Sequence, residues 1–268
     1  MKISIITPSY NQGQYIADAI ESVAQQNYPH LEHIILDAQS TDNTLEVLKS
    51  YNHLPHLKWI SEPDKGQSDA INKGFQMATG DIVAWLNTDD YYLPEAFTKV
   101  AKTFTQQPDA SIVYSDTLLI DQNKQPLRIK QDHIFDYGVL LYYGCYIQST
   151  TTFFKKSIID SGHLLDISYK TCMDYEYFVR LAKLGYRFAY VPDVFAAFRW
   201  HDTNISVVYP QIRRQETVKI KHQYGYKLTS NQPLQTFLHD CTYFAYLAKR
   251  QLLKRTTPRR LHLAVNPL

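Results

Sequence analysis

At 268 residues, with 44% hydrophobic and 20% charged residues, the chain can bury a sizeable core and lacks the bias of a disordered or fibrous protein. A net charge of +2 is too small to imply nucleic-acid binding across the whole surface. Three widely spaced cysteines, Cys145, Cys172 and Cys241, exclude a CxxC zinc site and a disulfide framework and fit a reducing cytoplasm.

The apolar run at Met1 to Ile6 is too brief for a signal peptide and reads as a first strand, Ile3 to Thr7. A Ser9-Tyr10-Asn11 turn follows, and then Ile16, Ala19, Ile20, Val23 and Ala24 recur at helical spacing. The unit repeats as His33 to Asp37 with a helix through Leu45 and Leu48 behind the capping candidates Ser40 and Thr41, and as Leu57 to Ser61 with a helix over Asp69 to Ala78. Ile82 to Leu86 is a fourth strand, after which Pro94 opens a helix through Phe97, Val100, Ala101 and Phe104.

After Ser111 the strands shorten: Ile112 to Ser115, a turn at Asp121 to Lys124, and Thr150 to Phe154. The uncharged stretch Tyr137 to Phe154 has the length of a membrane span, but Gly138, Gly144 and the polar run Gln148 to Thr152 break it. A helix over Asp174 to Leu184 is capped by Gly185, and Phe188 to Val191 and Val194 to Trp200 return as strands. From Leu234 a stripe of Phe237, Leu238, Cys241, Phe244, Ala245, Ala248 and Leu252 predicts a helix that packs on the main domain.

Strands alternating with helices predict an α/β fold, a mainly parallel central sheet flanked by helices, with ligands bound outside the carboxyl ends of the strands. Asp37, Asp64 and the Asp89-Asp90 pair follow successive strands and should converge on one crevice. Within Trp85-Leu86-Asn87-Thr88-Asp89-Asp90 an apolar strand runs into an acidic pair, a ligand set for Mg2+ or Mn2+ with diphosphate oxygens as further ligands. The plain alternative is that the two acids cap the helix opening at Pro94.

The runs Ile6 to Asn11, Asp37 to Asp42, Glu62 to Gly74 and Trp85 to Asp90, in this order, resemble glycosyltransferase family 2. Met173-Asp174-Tyr175-Glu176, Arg180-Leu181, Gly185-Tyr186, Val191-Pro192 and Phe198 to His201 resemble the family's second conserved region, so the likeness spans about Lys2 to Ser206. The resemblance implies an inverting transferase with the GT-A nucleotide-binding sandwich over 1–208, divided into a nucleotide-sugar half (1–115) and an acceptor half (116–208); beyond it, helical spacing predicts a C-terminal helical extension over 209–268.

The same resemblance implies that Thr7, Pro8 and Tyr10 line the nucleotide pocket and that Asp37 accepts the ring NH of uracil or thymine, favouring a UDP-sugar. It puts Asp64, Lys65, Asn72, Asp89 and Arg199 on the nucleotide-sugar. Asp90, with Asp89 and His201, would hold the divalent cation (Mn2+ or Mg2+), Asp90 as the preferred direct ligand. Asp174 becomes the base that deprotonates the acceptor hydroxyl, with Glu176 as runner-up. Each has a bland counterpart: Asp37 as a turn former, Asp64 and Lys65 as an exposed turn, Asp174 as a helix cap.

Tyr146 and Gln148 are candidates for the acceptor, a saccharide or lipid-linked hydroxyl; ordinary packing is the alternative. The histidines other than His201, among them His30, His33, His53 and His56, are expected on the surface. Two departures from the family pattern, Ala38 in the Asp-Gly-x-Ser turn and Met173 before Asp174, remove no required chemical group. After Asp240 no acid occurs while Lys249, Arg250, Lys254, Arg255, Arg259 and Arg260 accumulate, which suits peripheral contact with the inner membrane face or, alternatively, a solvated tail. A nucleotidyltransferase would carry a Gly-rich basic loop where Ser9 to Gly13 stands, and a non-catalytic glycan-binding module would not need Asp37, Asp89, Asp90 and Asp174 together.

Overall fold

The computed structural model describes residues 1–225 and 231–258. Strand β1 (Ile3–Ser9), helix α1 (Ile16–Ala24), β2 (Leu31–Asp37), α2 (Thr44–Ser50), β3 (Leu57–Ser61), α3 (Gln67–Met77) and β4 (Ile82–Trp85) form the alternating first half. β5 (Tyr91–Tyr92), α4 (Ala96–Gln106), β6 (Ile112–Ile120), β7 (Pro126–Lys130), β8 (Phe153–Lys155), α5 (Lys156–Asp160), α6 (Met173–Lys183) and β9 (Phe188–Arg199) follow. α7 (Ile205–Val208), α8 (Pro210–Tyr224) and α9 (Gln232–Thr256) end the described chain.

One sheet runs through both halves in the order β3-β2-β1-β4-β8-β6-β9-β5, with β7 paired to β6. Its β3-β2-β1-β4 portion is parallel, because helical crossovers join those strands. Beyond β4 the sheet is mixed: β8 is antiparallel to both β4 and β6, and β6 and β7 form a hairpin across the Asp121 to Lys124 turn. Phe188 to Arg199 is a single strand whose register against β6 shifts around Asp116, rather than two strands.

The central strands β1, β4 and β6 bury both faces. On one side Ile6, Phe75, Trp85, Phe154 and Phe178 pack together, Trp85 stacking on Phe154 with centroids 5.5 Å apart. On the other, Ile3, Ile5, Phe97, Val100, Phe153 and Phe195 do so. Gly74 lets α3 close on β1, since a Cβ there would lie 2.4 Å from Ile6 Cγ2. Helix α2 begins at Thr44, not behind Ser40, because Asp42 takes the Thr44 backbone N–H at 3.0 Å while Ser40 is engaged elsewhere. Pro94 belongs to the turn before α4.

Helix α9 docks against a π-turn at Val139–Tyr143, with Tyr246 stacked on Tyr142 at 5.1 Å and Tyr243 on Tyr143 at 5.5 Å. Gly138 is needed there, as a Cβ would lie 2.4 Å from the Tyr246 ring. The stripe expected to pack inward faces out instead: Phe237, Phe244 and Leu252 are 61%, 71% and 59% exposed. The tyrosine face of the same helix wins because its rings find aromatic partners. Arg259 and Arg260 lie outside the described residues. Among the described residues no helix is long and apolar enough to cross a membrane.

Candidate active site

Parallel register aligns Ser9, Asp37 and Ser61 at the carboxyl ends of β1, β2 and β3, and Ile6 with Trp85 of β4. With β2 on one side of β1 and β4 on the other, the strand order reverses there, where open α/β sheets bind ligands. The acids at the strand ends therefore share one edge.

The turn after β4 divides its two acids. Asp90 is fully buried: Thr150 donates to Oδ2 at 2.6 Å, the Arg199 backbone N–H donates to Oδ1 at 2.9 Å, and Asn87 approaches Oδ2 at 3.5 Å. Burial, reinforced by the neighbouring Asp89 charge, pushes the Asp90 carboxyl well above the usual carboxylate range. Asp89 stays at the rim, with Oδ2 3.0 Å from His201 Nε2. The outward carboxylate is thus Asp89, while Asp90, expected as the preferred direct ligand, braces the turn from beneath.

His201 follows β9, and its surroundings fix the ring. The Thr203 hydroxyl meets Nδ1 at 2.8 Å, Tyr15 stacks on the ring at 5.5 Å, and the Asn204 side chain accepts the His201 backbone N–H at 2.7 Å. Nε2 is left facing Asp89. Two neighbouring ligands of Mg2+, each at about 2.1 Å and at right angles, lie about 3 Å apart, so the 3.0 Å pair fits two corners of such a cation's shell. Among the described residues no three His, Cys, Asp or Glu side chains group as a complete metal cage.

Arg199, expected on the diphosphate, is 2% exposed and already committed. Its Nε donates to Asp89 O at 2.8 Å, Nη1 to Gln122 O at 3.0 Å, and Nη2 lies 2.6 Å from Asp18 Oδ2. The guanidinium is a clamp that joins α1, the β4 turn and the β6–β7 turn, not a free phosphate ligand. Tyr15 sits beneath it, 4.8 Å from the guanidinium carbon.

On the nucleotide side, Tyr10 is 60% exposed, while Thr7 and Pro8 are buried and the Thr7 hydroxyl meets His33 Nε2 at 2.9 Å. His33 is therefore a core residue, contrary to the surface expectation; burial holds its ring neutral, its pKa pushed down to about 3. His133 is buried too. Asp37 accepts from Ser40 N–H at 3.0 Å, Ser40 Oγ at 2.5 Å and Ser61 Oγ at 2.6 Å, so it shapes the loop and keeps one lone pair on Oδ1. Asp64 accepts the Gly66 N–H at 2.7 Å in the turn that opens α3, where Gly66 adopts φ +110°, and the Lys65 side chain is exposed. Asn72 is turned inward: its amide exchanges two 2.9 Å bonds with the Leu165 backbone.

Two contacts bring α6 to this edge. Gln67 donates to Asn87 Oδ1 at 2.8 Å, and its neighbour Ser68 reaches Met173 Sδ at 2.9 Å, directly before Asp174. Asp174 is partly exposed, accepts the Tyr175 N–H at 2.7 Å through Oδ1, and is held above the usual carboxylate range by burial. Glu176 cannot share its role, because it is 2% exposed and grips Arg180 at 2.8 Å and Tyr224 at 2.5 Å.

Tyr146 is 1% exposed, packs 4.3 Å from the His133 ring and accepts the Asp136 N–H at 3.0 Å, so it stands in the core. Gln148 remains partly exposed beside a 3-10 turn, Ser149–Thr151, that carries Thr150 beneath Asp90. Sequence reasoning passed over Asn204, Tyr15 and Glu216, and met Thr150 only inside the polar run Gln148 to Thr152. Glu216, on α8, accepts from the N–H groups of Lys170, Thr171 and Cys172 at 2.7, 2.9 and 2.9 Å and so builds the approach to Asp174.

Comparison with known proteins identifies the family and the fold. The model of glycosyl transferase family 2 matches residues 4–164. The putative teichuronic acid biosynthesis glycosyltransferase TuaG of Bacillus subtilis is 29% identical over 76% of this chain and 81% of its own length. An uncharacterized glycosyltransferase of Nostoc, alr2836, is 35% identical over 47% of this chain, a match that spans only 40% of that relative. Among solved structures, S. aureus TarS 1-349 in complex with UDP-GlcNAc superposes with TM-score 0.66 at 16% identity, covering 93% of this chain and 73% of that one. The mannosyltransferase PcManGT of Pyrobaculum calidifontis, in complex with GDP-Man and Mn2+, gives TM-score 0.64 at 17% identity, covering 94% and 75%. At these identities the structural likeness establishes the fold alone.

Proposed function

The chain belongs to glycosyltransferase family 2 and is a glycosyltransferase with the GT-A sandwich; on that premise we propose that it moves a sugar from a nucleotide-sugar donor, UDP-linked, to a hydroxyl of a saccharide or lipid-linked acceptor with inversion, in bacterial polysaccharide assembly. The observation that carries this reading is the Asp89–His201 pair, 3.0 Å apart at the reversal of strand order. The description of TuaG as a putative teichuronic acid biosynthesis glycosyltransferase, the UDP-GlcNAc of the TarS complex and the Mn2+ of the PcManGT complex support the polymer, donor and cation respectively.

Asp89 and His201 would hold the divalent cation, which when bound supplies positive charge for the departing diphosphate. The exposed Tyr10 ring offers a face for the base, and the spare Oδ1 lone pair of Asp37 accepts its ring NH. Asp174 takes the acceptor's hydroxyl proton as that oxygen bonds the anomeric carbon; the bond from that carbon to the diphosphate breaks on the opposite face, and the diphosphate leaves with the electron pair. The raised Asp174 carboxyl makes it a stronger base than an ordinary aspartate. Asp90, Thr150 and Arg199 keep the turn still.

Thermal denaturation with UDP, GDP, dTDP and ADP, each with and without Mn2+, tests the reading. UDP should raise the melting temperature most, and more with Mn2+ than without. No shift with any nucleoside diphosphate would sink it.

A further inference from the structure

Helix α9 meets the rest of the chain along one side, through Tyr243, Tyr246 and Arg250, the last lying over the Tyr143 ring at 4.6 Å. At about 100° per residue, Phe237, Cys241, Phe244, Ala248 and Leu252 fall on one line on the other side. That line is open to solvent, with Phe237, Phe244 and Leu252 at 61%, 71% and 59% exposure. Soluble surfaces scatter large apolar residues singly; here they form a ridge of about 22 Å.

Charge completes the pattern. Residues 209–268 hold eleven Lys and Arg against two acids, a net +9, whereas 1–208 hold seventeen against twenty-four, a net −7. On α9 itself Arg255 continues the ridge line, with Lys249 and Lys254 to either side, and Lys249 also reaches Asp136 at 2.6 Å. Arg213, Arg214 and Lys219 of α8 are exposed as well. An apolar ridge on a strongly basic unit matches an anionic bilayer, whose headgroups attract the charge while the aromatic rings enter the interface. A second copy set ridge to ridge fits poorly, because each 209–268 segment carries a net +9.

We propose that α9 docks the protein on an anionic bilayer surface, with the Phe237–Phe244–Leu252 ridge lying in the headgroup layer. The docking stands on α9 and the charge balance alone. Its consequence, delivery of a lipid-carried acceptor to the enzyme, rests on the glycosyl-transfer reading.

Cys241 provides the probe. It is exposed on the ridge, whereas Cys172 is buried and burial pushes the Cys145 thiol well up, so an environment-sensitive thiol dye will favour position 241. With the full chain, vesicles of phosphatidylcholine containing about a third phosphatidylglycerol should pellet the protein and shift the dye emission to the blue, and added salt should weaken both. Phosphatidylcholine alone should do neither. The double variant Phe237→Ser, Phe244→Ser, changed only at exposed positions, should keep its circular dichroism melt and its UDP-induced thermal shift while its vesicle affinity falls about tenfold or more. No binding of wild type to the anionic vesicles, or equal binding by the double variant, overturns the proposal. So does light scattering that shows a dimer dissociated by the double variant, which would make a second copy the occupant. Vesicle binding with no nucleotide response would overturn the donor reading and leave the docking in place.

Discussion

Asp89 Oδ2 and His201 Nε2 approach to 3.0 Å although 112 positions separate them in the chain. The Thr203 hydroxyl at Nδ1 holds the imidazole so that Nε2 faces the carboxylate, the kind of outer contact that orients a metal-binding histidine. His201→Ala should weaken Mn2+-supported UDP binding by about 10–100-fold, and Asp89→Asn by at least as much, in calorimetric titrations. Asp90→Asn should change the cation dependence far less, because Asp90 lies under the turn. Equal losses at 89 and 90 would restore Asp90 as a direct ligand.

Asp174→Asn should leave UDP binding intact while kcat falls by about 100- to 10,000-fold. Because burial raises its pKa, the acid limb of kcat against pH should have its midpoint above the value of about 3.9 for a free aspartate. The rate should rise with pH as the carboxyl loses its proton. Glu176→Gln is the contrast: it loosens the Arg180 and Tyr224 contacts, so melting temperature should drop with transfer largely kept. A collapse of kcat in Glu176→Gln alone would move the base to that position.

The α/β half was legible because β-branched runs and helical periodicity agree there; Leu57 to Ser61 matches β3 at both ends. What periodicity could not reveal was direction. The β6–β7 hairpin and the reversed β8 have the same apolar content as parallel strands, and only the pairing distinguishes them. The site was legible as residue types, less so as roles. Arg199 and Asp90 carry the expected chemistry, yet their neighbours, Asp18 at 2.6 Å and Thr150 at 2.6 Å, consume it. Such partners lie 181 and 60 positions away, beyond any local pattern. For α9 both faces read as apolar, and the choice between them depended on which one met Tyr142 and Tyr143.

Glu216 ties α8 to the loop before Asp174 with three backbone bonds and a fourth from the Thr171 hydroxyl at 2.7 Å. Glu216→Gln keeps the shape but loses one acceptor, so it should cost about 1–3 kcal/mol in urea denaturation. Asp174 would then be held less firmly, and kcat should fall with the UDP dissociation constant unchanged. A rise in that constant with kcat preserved would instead place Glu216 on the donor side.

His33 makes the fold beneath the nucleotide edge sensitive to acid. Burial first, and the nearby His56 second, hold its ring neutral, with a folded pKa of about 3 against about 6.5 in an unfolded chain. The folded state therefore resists a proton that the unfolded state accepts. Its contribution is fully present above pH 6.5 and is lost as pH falls toward 3, at about 1.4 kcal/mol per pH unit. From pH 7.5 to pH 5 this single group should remove about 2 kcal/mol. His33→Gln supplies an amide that does not titrate, so although it costs the 2.9 Å Thr7 contact its native geometry, the pH-dependent part of its stability should shrink by that amount. Burial pushes His56 and His133 down as well, which leaves a residual acid sensitivity in the variant. Urea midpoints at the two pH values decide it: an equal loss in both proteins would mean that His33 is charged in the folded state and that the Thr7 contact is made by an imidazolium.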